Sequence, residues 1–422
     1  MPARLNPDLG DGATLGRLFA PVAGEPAIGL AVSGGADSLA LMLLAQRWAA
    51  SGPAPRLVVY SVDHRLRPEA AGEVAMVLDL ARQLGLEARG LAWAAPKPQS
   101  GMQEAARTAR YRLIGEAMRA DGATVLLTAH HRSDQAETVL MRLAHGSGVE
   151  GLRGMSAFSY VEGVRVFRPF LDVDRDALRR IVVEAGLTPA EDPSNSDGSY
   201  ERVRWRQLMP QLAQLGLDAD ALAGFAERMA DADKVLTQLA DSAFAELVRL
   251  DGFGAARIEH ERFNALGAAV GTRLLGRVLN IVGGRQKPRA LGQVERLRAH
   301  IAEGSLPRST TLCGCVVRLK DGAVAIAREP GRSLPPDAVV AAGGELVWDE
   351  RFRIVNGTGA GVTAGVADYL PRHRLEEVLG FKVTAPAEAI RTAPIVRDAE
   401  GGVVSLGGWS FDERLTVQLL ID

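Results

Sequence analysis

Through the first half of the chain, short apolar runs alternate with longer stretches whose apolar positions recur every three to four residues. Residues 27–32 (AIGLAV) form a continuous apolar run of strand length, and residues 39–50 that follow carry helical spacing. RLVVYSVDH (56–64) reads as a second strand, and residues 69–84 as a helix with Val74, Val77, Leu78 and Ala81 along one side. EARGLAW is a shorter strand, GMQEAARTARYRLIGEAMRADG a long helix built from strong helix formers, and ATVLLTAHH another strand. SDQAETVLMRLA then reads as a helix with Ser133 as its N-cap, and RPFLDVDRDALRRIVVEAGL as one more, capped near Asp172 or Asp174. Repeated strand–helix units of this kind predict an α/β fold, a Rossmann-like parallel sheet with helices on both faces.

The pattern then changes twice. TPAEDPSNSDGSY is loop chemistry, and the exit from the first domain is placed just after it. From about residue 207 to 303 nearly everything reads as Ala/Leu-rich helix, broken around LDGFGAARIEH and NIVGGRQKPRALG. From Leu306 onward strands dominate. LCGCVVRLKDGAVAIARE signals a hairpin at Asp321-Gly322, and GELVWDERFRIV and APIVRDAEGGVVSL look similar. The expected organisation is a domain at 1–206, a helical domain at 207–305 and a β-rich domain at 306–422.

Composition narrows the class. A chain of 422 residues with 47% hydrophobic and 24% charged residues is that of an ordinary globular protein of several domains. Its formal charge of −2 gives no global basic field, so a polyanionic partner must be met by local patches. Cys313 and Cys315 are too close for a disulfide framework and lack the C-x-x-C spacing; on one strand they would share a face and pack. No stretch resembles a secretion signal, and no apolar run approaches the roughly 20 residues needed to span a bilayer, so the cytoplasm is expected and a membrane is not. The sequence does not fix an oligomeric state.

Chemistry enters at AVSGGADS. A strand, a Gly-Gly turn and a helix N-terminus present unpartnered backbone N–H groups at the positive end of a helix dipole, which makes an anion site. Ser33 and Ser38 add hydroxyls, and Gly34 and Gly35 let the backbone come close to an anion. No lysine follows in the manner of a Walker A loop. Asp37 fits a phosphate site only if Mg²⁺ stands between carboxylate and phosphate; otherwise it is a first-turn dipole partner.

S-G-G-x-D-S resembles the pyrophosphate-binding loop of the N-type ATP pyrophosphatases, the PP-loop superfamily. Further segments, in family order, narrow the likeness to the bacterial tRNA(Ile)-lysidine synthetases: VDHRLRPEA, MQEAARTARY, TAHHRSDQAET, RLAHGSGVEGLRGM, RPFL, EDPSN and ERVRWRQLMPQL, covering about the first half of the chain. The resemblance implies that ATP is cleaved between its α and β phosphates and that AMP is transferred to O2 of the wobble cytidine in a tRNA(Ile) with a CAU anticodon. The ε-amine of free L-lysine then displaces AMP. Cytosine O2 is a poor leaving group, so the order makes chemical sense, and the amine, with a pKa of roughly 10.4, must lose its proton.

The resemblance also implies roles. Ser33, Gly34, Gly35, Ala36, Asp37 and Ser38 would hold ATP and pyrophosphate, with Asp37 on the metal and Asp63 and His64 near the adenosine. Asp134 and Glu137, three apart on one helix face, would hold lysine, Glu137 orienting the amine or acting as base. A pair of acids near a helix N-terminus would also be favoured by the dipole alone. The family has two adjacent acids where this chain has Ser133 and Asp134, and Arg-Asn-Arg where this chain has Arg202, Val203 and Arg204. It also has arginine where His145 stands. Arg110 would meet the ATP phosphates or the adenylated cytosine, Arg202 the ATP or tRNA, and Arg204 the tRNA; a solvated basic face is the alternative for Arg107 and Arg110. His64, His130 and His131 at strand ends read as adenosine contacts or sheet-end packing rather than as a zinc site. Arg285, Lys287 and Arg289, with Arg296 and Arg298, could track tRNA phosphates or simply face water.

Three rivals differ in what they require. A tRNA 2-thiolation enzyme needs cysteines in the ATP domain, and none precedes Cys313. A small-molecule amidating ligase of the NAD synthetase type would not need the appended regions. A nucleotide-binding regulator would not need Asp37, Arg110, Asp134 and Glu137 together.

Overall fold

In the computed structural model, which describes residues 8–98, 100–190, 197–284, 291–331, 334–367 and 371–421, contacts divide the chain into two compact units, Met1–Asp233 and Lys234–Asp422. The first begins with α1 (Gly12–Phe19) and then alternates as the periodicity predicts: β1 (Ala27–Ala31), α2 (Ala36–Ala50), β2 (Arg56–Asp63), α3 (Ala70–Gln83), β3 (Glu87–Ala92), α4 (Met102–Asp121), β4 (Val125–Leu127) and α5 (Arg132–Ala144). A short α6 (Val149–Leu152), the hairpin β5 (Phe158–Val161) and β6 (Val164–Phe167), α7 (Arg175–Glu184) and α8 (Glu201–Gln214) follow. The long α9 (Ala219–Leu247) begins in this unit.

The sheet order is β3-β2-β1-β4-β6-β5. Strands alternate their faces, so Ile28, Leu30, Leu57, Val59, Val125 and Leu127 pack against α1, α2, α3 and α7, while Val58, Tyr60, Leu126 and Val166 meet α4 on the other side. α2 is apolar all round because it is buried all round: Leu39 to Ala45 lie within the core between the sheet, α1 and α7. On the α4 face, Gly29 leaves room for the Tyr60 ring, which a Cβ would approach to 2.8 Å. Going from β1 to β2 to β3 the chain winds one way, and α4 carries it back to β4 on the far side of β1. The crevice between the carboxyl ends of β1 and β4 is therefore a topological switch point, where open α/β sheets bind ligands.

The sheet is parallel from β3 to β6, as expected, and one antiparallel strand, β5, is added at its edge. β5 runs antiparallel to β6 because only Glu162 (φ 49°) and Gly163 (φ 76°) separate them, a left-handed turn too short for a crossover. The expected N-cap Ser133 is corrected: α5 starts at Arg132, and its N-cap is His131, whose N–H donates to Asp134 Oδ2 at 3.0 Å. Asp174 caps α7, accepting from the Asp176 N–H. The expected domain end at 206 falls inside α8, which packs on α5 and on the start of α9 around Ala136, Val139, Leu140, Trp205, Leu222 and Ala226.

In the second unit, the break around LDGFGAARIEH is a hairpin, β7 (Val248–Leu250) and β8 (Ala256–Glu259). It joins strands Thr310–Leu312, Cys315–Lys320 and Ala323–Arg328 in one five-stranded sheet. Helices Ala268–Gly283 and Leu291–Ala302 contribute Leu275, Val278, Leu279, Val294 and Leu297 to the core of that sheet. The Asp321-Gly322 hairpin forms as expected, with both residues at positive φ. Cys313 does not share a strand with Cys315: it occupies a turn at φ 57° beside Gly314, and only Cys315 is buried in the sheet. Two further antiparallel sheets, of five and three strands, complete the β-rich end among the described residues. Among the described residues no helix is long and apolar enough to cross a membrane.

Candidate active site

After β1 the chain turns at Ser33, passes through Gly34 at φ 87° and Gly35 in an extended conformation, and enters α2 at Ala36. Gly34 is required twice over: its φ disfavours any side chain, and a Cβ would stand 3.2 Å from Met76 Cε. Ser38 Oγ donates to Gly35 O at 2.9 Å and accepts the Ser33 N–H at 3.1 Å, so the two serines brace the loop. By helix geometry the N–H groups of Gly35, Ala36, Asp37 and Ser38 have no intrahelical acceptor, which fits an anion bound at the turn.

Asp37 stands in the first turn of α2. Its Oδ1 is buried and has no hydrogen-bond partner among the described residues, with Arg175 Nε standing 3.9 Å away. Its Oδ2 lies 3.6 Å from His131 Nε2. One carboxylate with a free oxygen beside an anion cradle suits Mg²⁺, which takes one or two carboxylates and completes its shell with phosphate and water. Among the described residues no cluster of three or more His, Cys, Asp or Glu side chains would hold a metal by itself.

The loop after β4 supplies the other side of the crevice. Thr128 Oγ1 meets His130 Nδ1 at 2.9 Å. Burial pushes His130 down to about 4; Asp134 opposes the shift, and Arg168, Arg202 and Arg107 add to it. His131 is 2% exposed and its Nε2 stands 3.4 Å from Asp134 Oδ2, so one imidazole nitrogen faces both Asp37 and Asp134. Burial alone would raise the Asp134 carboxyl, but His131, Arg202, His130 and the His131 N–H together hold it below its ordinary value.

Glu137 lies one turn beyond Asp134 on the same helix face, as its spacing predicts, and is 1% exposed. Its Oε2 accepts from Arg202 Nε at 2.8 Å and its Oε1 from Arg206 Nε at 2.7 Å. With both oxygens held by guanidinium groups, Glu137 ties α8 to α5. Arg202 also reaches Asp134 Oδ1 at 3.3 Å. Sequence reading passed over Arg206, although four residues on a helix separate it from Arg202 and put both on one face. Arg204, two residues from each, points elsewhere and donates to Gly198 O and Ser199 O.

At the end of β2, Asp63 Oδ1 accepts the Arg65 N–H, and His64 Nε2 accepts from Arg110 Nε at 3.3 Å. Arg107 lies over the Tyr111 ring, 5.1 Å from its centroid. His145 Nε2 stands 3.0 Å from Glu201 Oε1 on the surface. The site residues thus fall into an anion loop, a carboxylate–arginine cluster joined to it by His131, and a separate His64–Arg110 pair. Arg285, Lys287 and Arg289 lie outside the described residues, as does EDPSN.

A family model described as a PP-loop domain matches residues 11–212, the span that builds this crevice. The chain is 44% identical over 328 residues to a tRNA(Ile)-lysidine synthase of Rhodopseudomonas palustris, covering 75% of this chain and 94% of the relative. A tRNA(Ile)-lysidine synthase of Bradyrhizobium diazoefficiens is 43% identical over 338 residues, 75% of this chain and 93% of the relative. One of Ruegeria pomeroyi is 40% identical over 291 residues, 69% and 68% of the two chains. Identity at this level across almost the full length of two such enzymes, on a crevice with this loop and these acids, means that the chain belongs to the tRNA(Ile)-lysidine synthase family of PP-loop ATP-binding enzymes.

Proposed function

We propose that this chain joins free L-lysine to C2 of the wobble cytidine in a tRNA(Ile) with a CAU anticodon, using ATP and releasing AMP and pyrophosphate. The observation that carries the reading is the meeting of Asp37 and Asp134 at His131 across the switch point, which sets a phosphate-side acid beside an amine-side acid. The N-terminus of α2 and the loop at 33–38 hold the phosphates of ATP, and Asp37, whose Oδ1 has no hydrogen bond among the described residues, would hold Mg²⁺. That ion would neutralise charge on the departing pyrophosphate.

The remaining steps belong to the chain's own side chains. Asp134 offers Oδ1, which Arg202 also reaches, to the lysine ammonium and orients the amine for attack. Glu137 keeps Arg202 and Arg206 over the reacting centre, where guanidinium charge stabilises the phosphate oxygens of the leaving AMP. Arg110, on His64, stands where the adenosine or its phosphates would reach past β2. The tRNA is held by Arg204 and by Arg285, Lys287 and Arg289, and the second compact unit, Lys234–Asp422, follows the catalytic one as an appended tRNA-binding part. The cytoplasm is where these substrates are found.

The test is incubation of the protein with ATP, radiolabelled lysine and a tRNA(Ile) transcript bearing CAU. ATP-dependent label in the tRNA is expected; folded protein that transfers none refutes the reading.

A further inference from the structure

His131 contributes two nitrogens to the centre. Its backbone N–H and its Nε2 both face Asp134 Oδ2, at 3.0 and 3.4 Å, so Oδ2 is turned inward and Oδ1 is left toward the cations on α8. The same Nε2 faces Asp37 Oδ2 at 3.6 Å and leaves Asp37 Oδ1 outward, buried and without a hydrogen bond among the described residues. One buried imidazole nitrogen therefore stands beside one oxygen of each acid.

Nδ1 of His131 is buried with no hydrogen-bond partner among the described residues. An orphaned acceptor is tolerated more readily than an orphaned N–H, so the tautomer with hydrogen on Nε2 is favoured. That nitrogen carries one hydrogen whatever the charge on the ring, and two carboxylates share it at distances slightly too long for a full bond to either.

Resting on the functional reading above, we propose that His131 is a positioning residue that couples nucleotide binding to lysine binding through this single shared N–H. When a cation at the phosphates takes Asp37 through Oδ1 and draws Oδ2 away from Nε2, the hydrogen passes wholly to Asp134 Oδ2. Asp134 is then locked with Oδ1 toward the ammonium, and lysine binds more tightly. Linkage requires that lysine tighten the nucleotide by the same factor.

Calorimetric titration of lysine into the full chain, with and without saturating Mg²⁺ and α,β-methylene-ATP, reads the coupling directly. The expected result is a lysine Kd lower by about 5-fold or more with the nucleotide present, matched in the reciprocal titration. His131→Asn, too short to reach either carboxylate, should bring the ratio to near one. His131→Gln, whose amide N–H reaches the Nε2 position, should retain most of it. A residue of purely structural importance would weaken both ligands and leave the ratio unchanged. A wild-type ratio near one overturns the proposal, as does an Asn variant with the wild-type ratio. If the Asn variant does not fold, the wild-type and Gln ratios decide. Failure of lysine to enter tRNA in the labelling assay would instead refute the functional reading, whereas lysine that is incorporated but binds without coupling refutes only this inference.

Discussion

His130 shows how much one side chain can tie stability to pH. The ring stands beside Thr128 with three arginines in its field, and burial first, then those charges, bring it down to about 4 from an ordinary 6.5. Between those values the unfolded chain binds a proton that the folded chain refuses. Stability therefore rises with pH across that window and is lost as pH falls from about 6.5 toward 4, by at most about 3 kcal/mol. Urea unfolding at a series of pH values should show a slope approaching one proton in this range. His130→Asn should flatten it, and an unchanged slope would place the proton on another group. Asp134 adds a loss of its own at lower pH: its depressed carboxyl stabilises the fold above its unfolded value and stops doing so as pH falls through the folded one. The sequence showed two histidines at a strand end but not their difference. One is kept neutral first by burial and then by arginines arriving from other elements, the other is set between two acids, and neither environment exists until β1, β4 and α8 are brought together.

At the scale of elements, α8 is attached to α5 by Glu137. The carboxylate is fully buried, while Arg202 and Arg206 remain about a third exposed. Replacing it with glutamine keeps the shape and leaves two guanidinium groups facing a neutral amide. A buried pair broken on one side costs roughly 3–5 kcal/mol, and solvent at the arginines reduces this to about 2 kcal/mol. Glu137→Gln should lower the urea midpoint accordingly without changing the slope, whereas Arg204→Ala should stay within about 0.5 kcal/mol of wild type. Equal effects of the two would mean that α8 is held by its apolar face alone, through Trp205, Met209 and Leu212. The run ERVRWR already contained this result in part, since helical spacing separates positions 202 and 206 from 204. The folding of α8 back over α5 was not legible, because that packing spans a loop of Pro, Asn and Ser with no periodicity to read. The β5–β6 and β7–β8 hairpins escaped for a different reason. Their strands are three or four residues long, too short for alternation to stand out, although Glu162-Gly163 carried a turn signal.

For the whole molecule the puzzle is charge. A chain with a formal charge of −2 is proposed to hold a tRNA, and the arginines best placed at the crevice are already engaged: Arg202 and Arg206 by Glu137, Arg110 by His64. The cations that meet its phosphates must therefore come from elsewhere, gathered locally, and GGRQKPRALG is the densest basic segment that the active-site cluster does not use. Net charge contributes little at physiological salt, where fields beyond about 8 Å are screened, but each phosphate neutralised releases counterions regardless of charge on the far side of the protein. Binding of tRNA should consequently weaken steeply with salt, with a logarithmic slope of several units. Replacing Arg285, Lys287 and Arg289 together with glutamine should reduce that slope by up to about 3, roughly one for each phosphate no longer neutralised. Lysine and nucleotide affinities measured without tRNA should not change, because none of the three residues belongs to the loop at 33–38 or to the α5 acids. A triple variant with the wild-type salt slope would remove this segment from the tRNA path and require another set of cations to meet the polyanion.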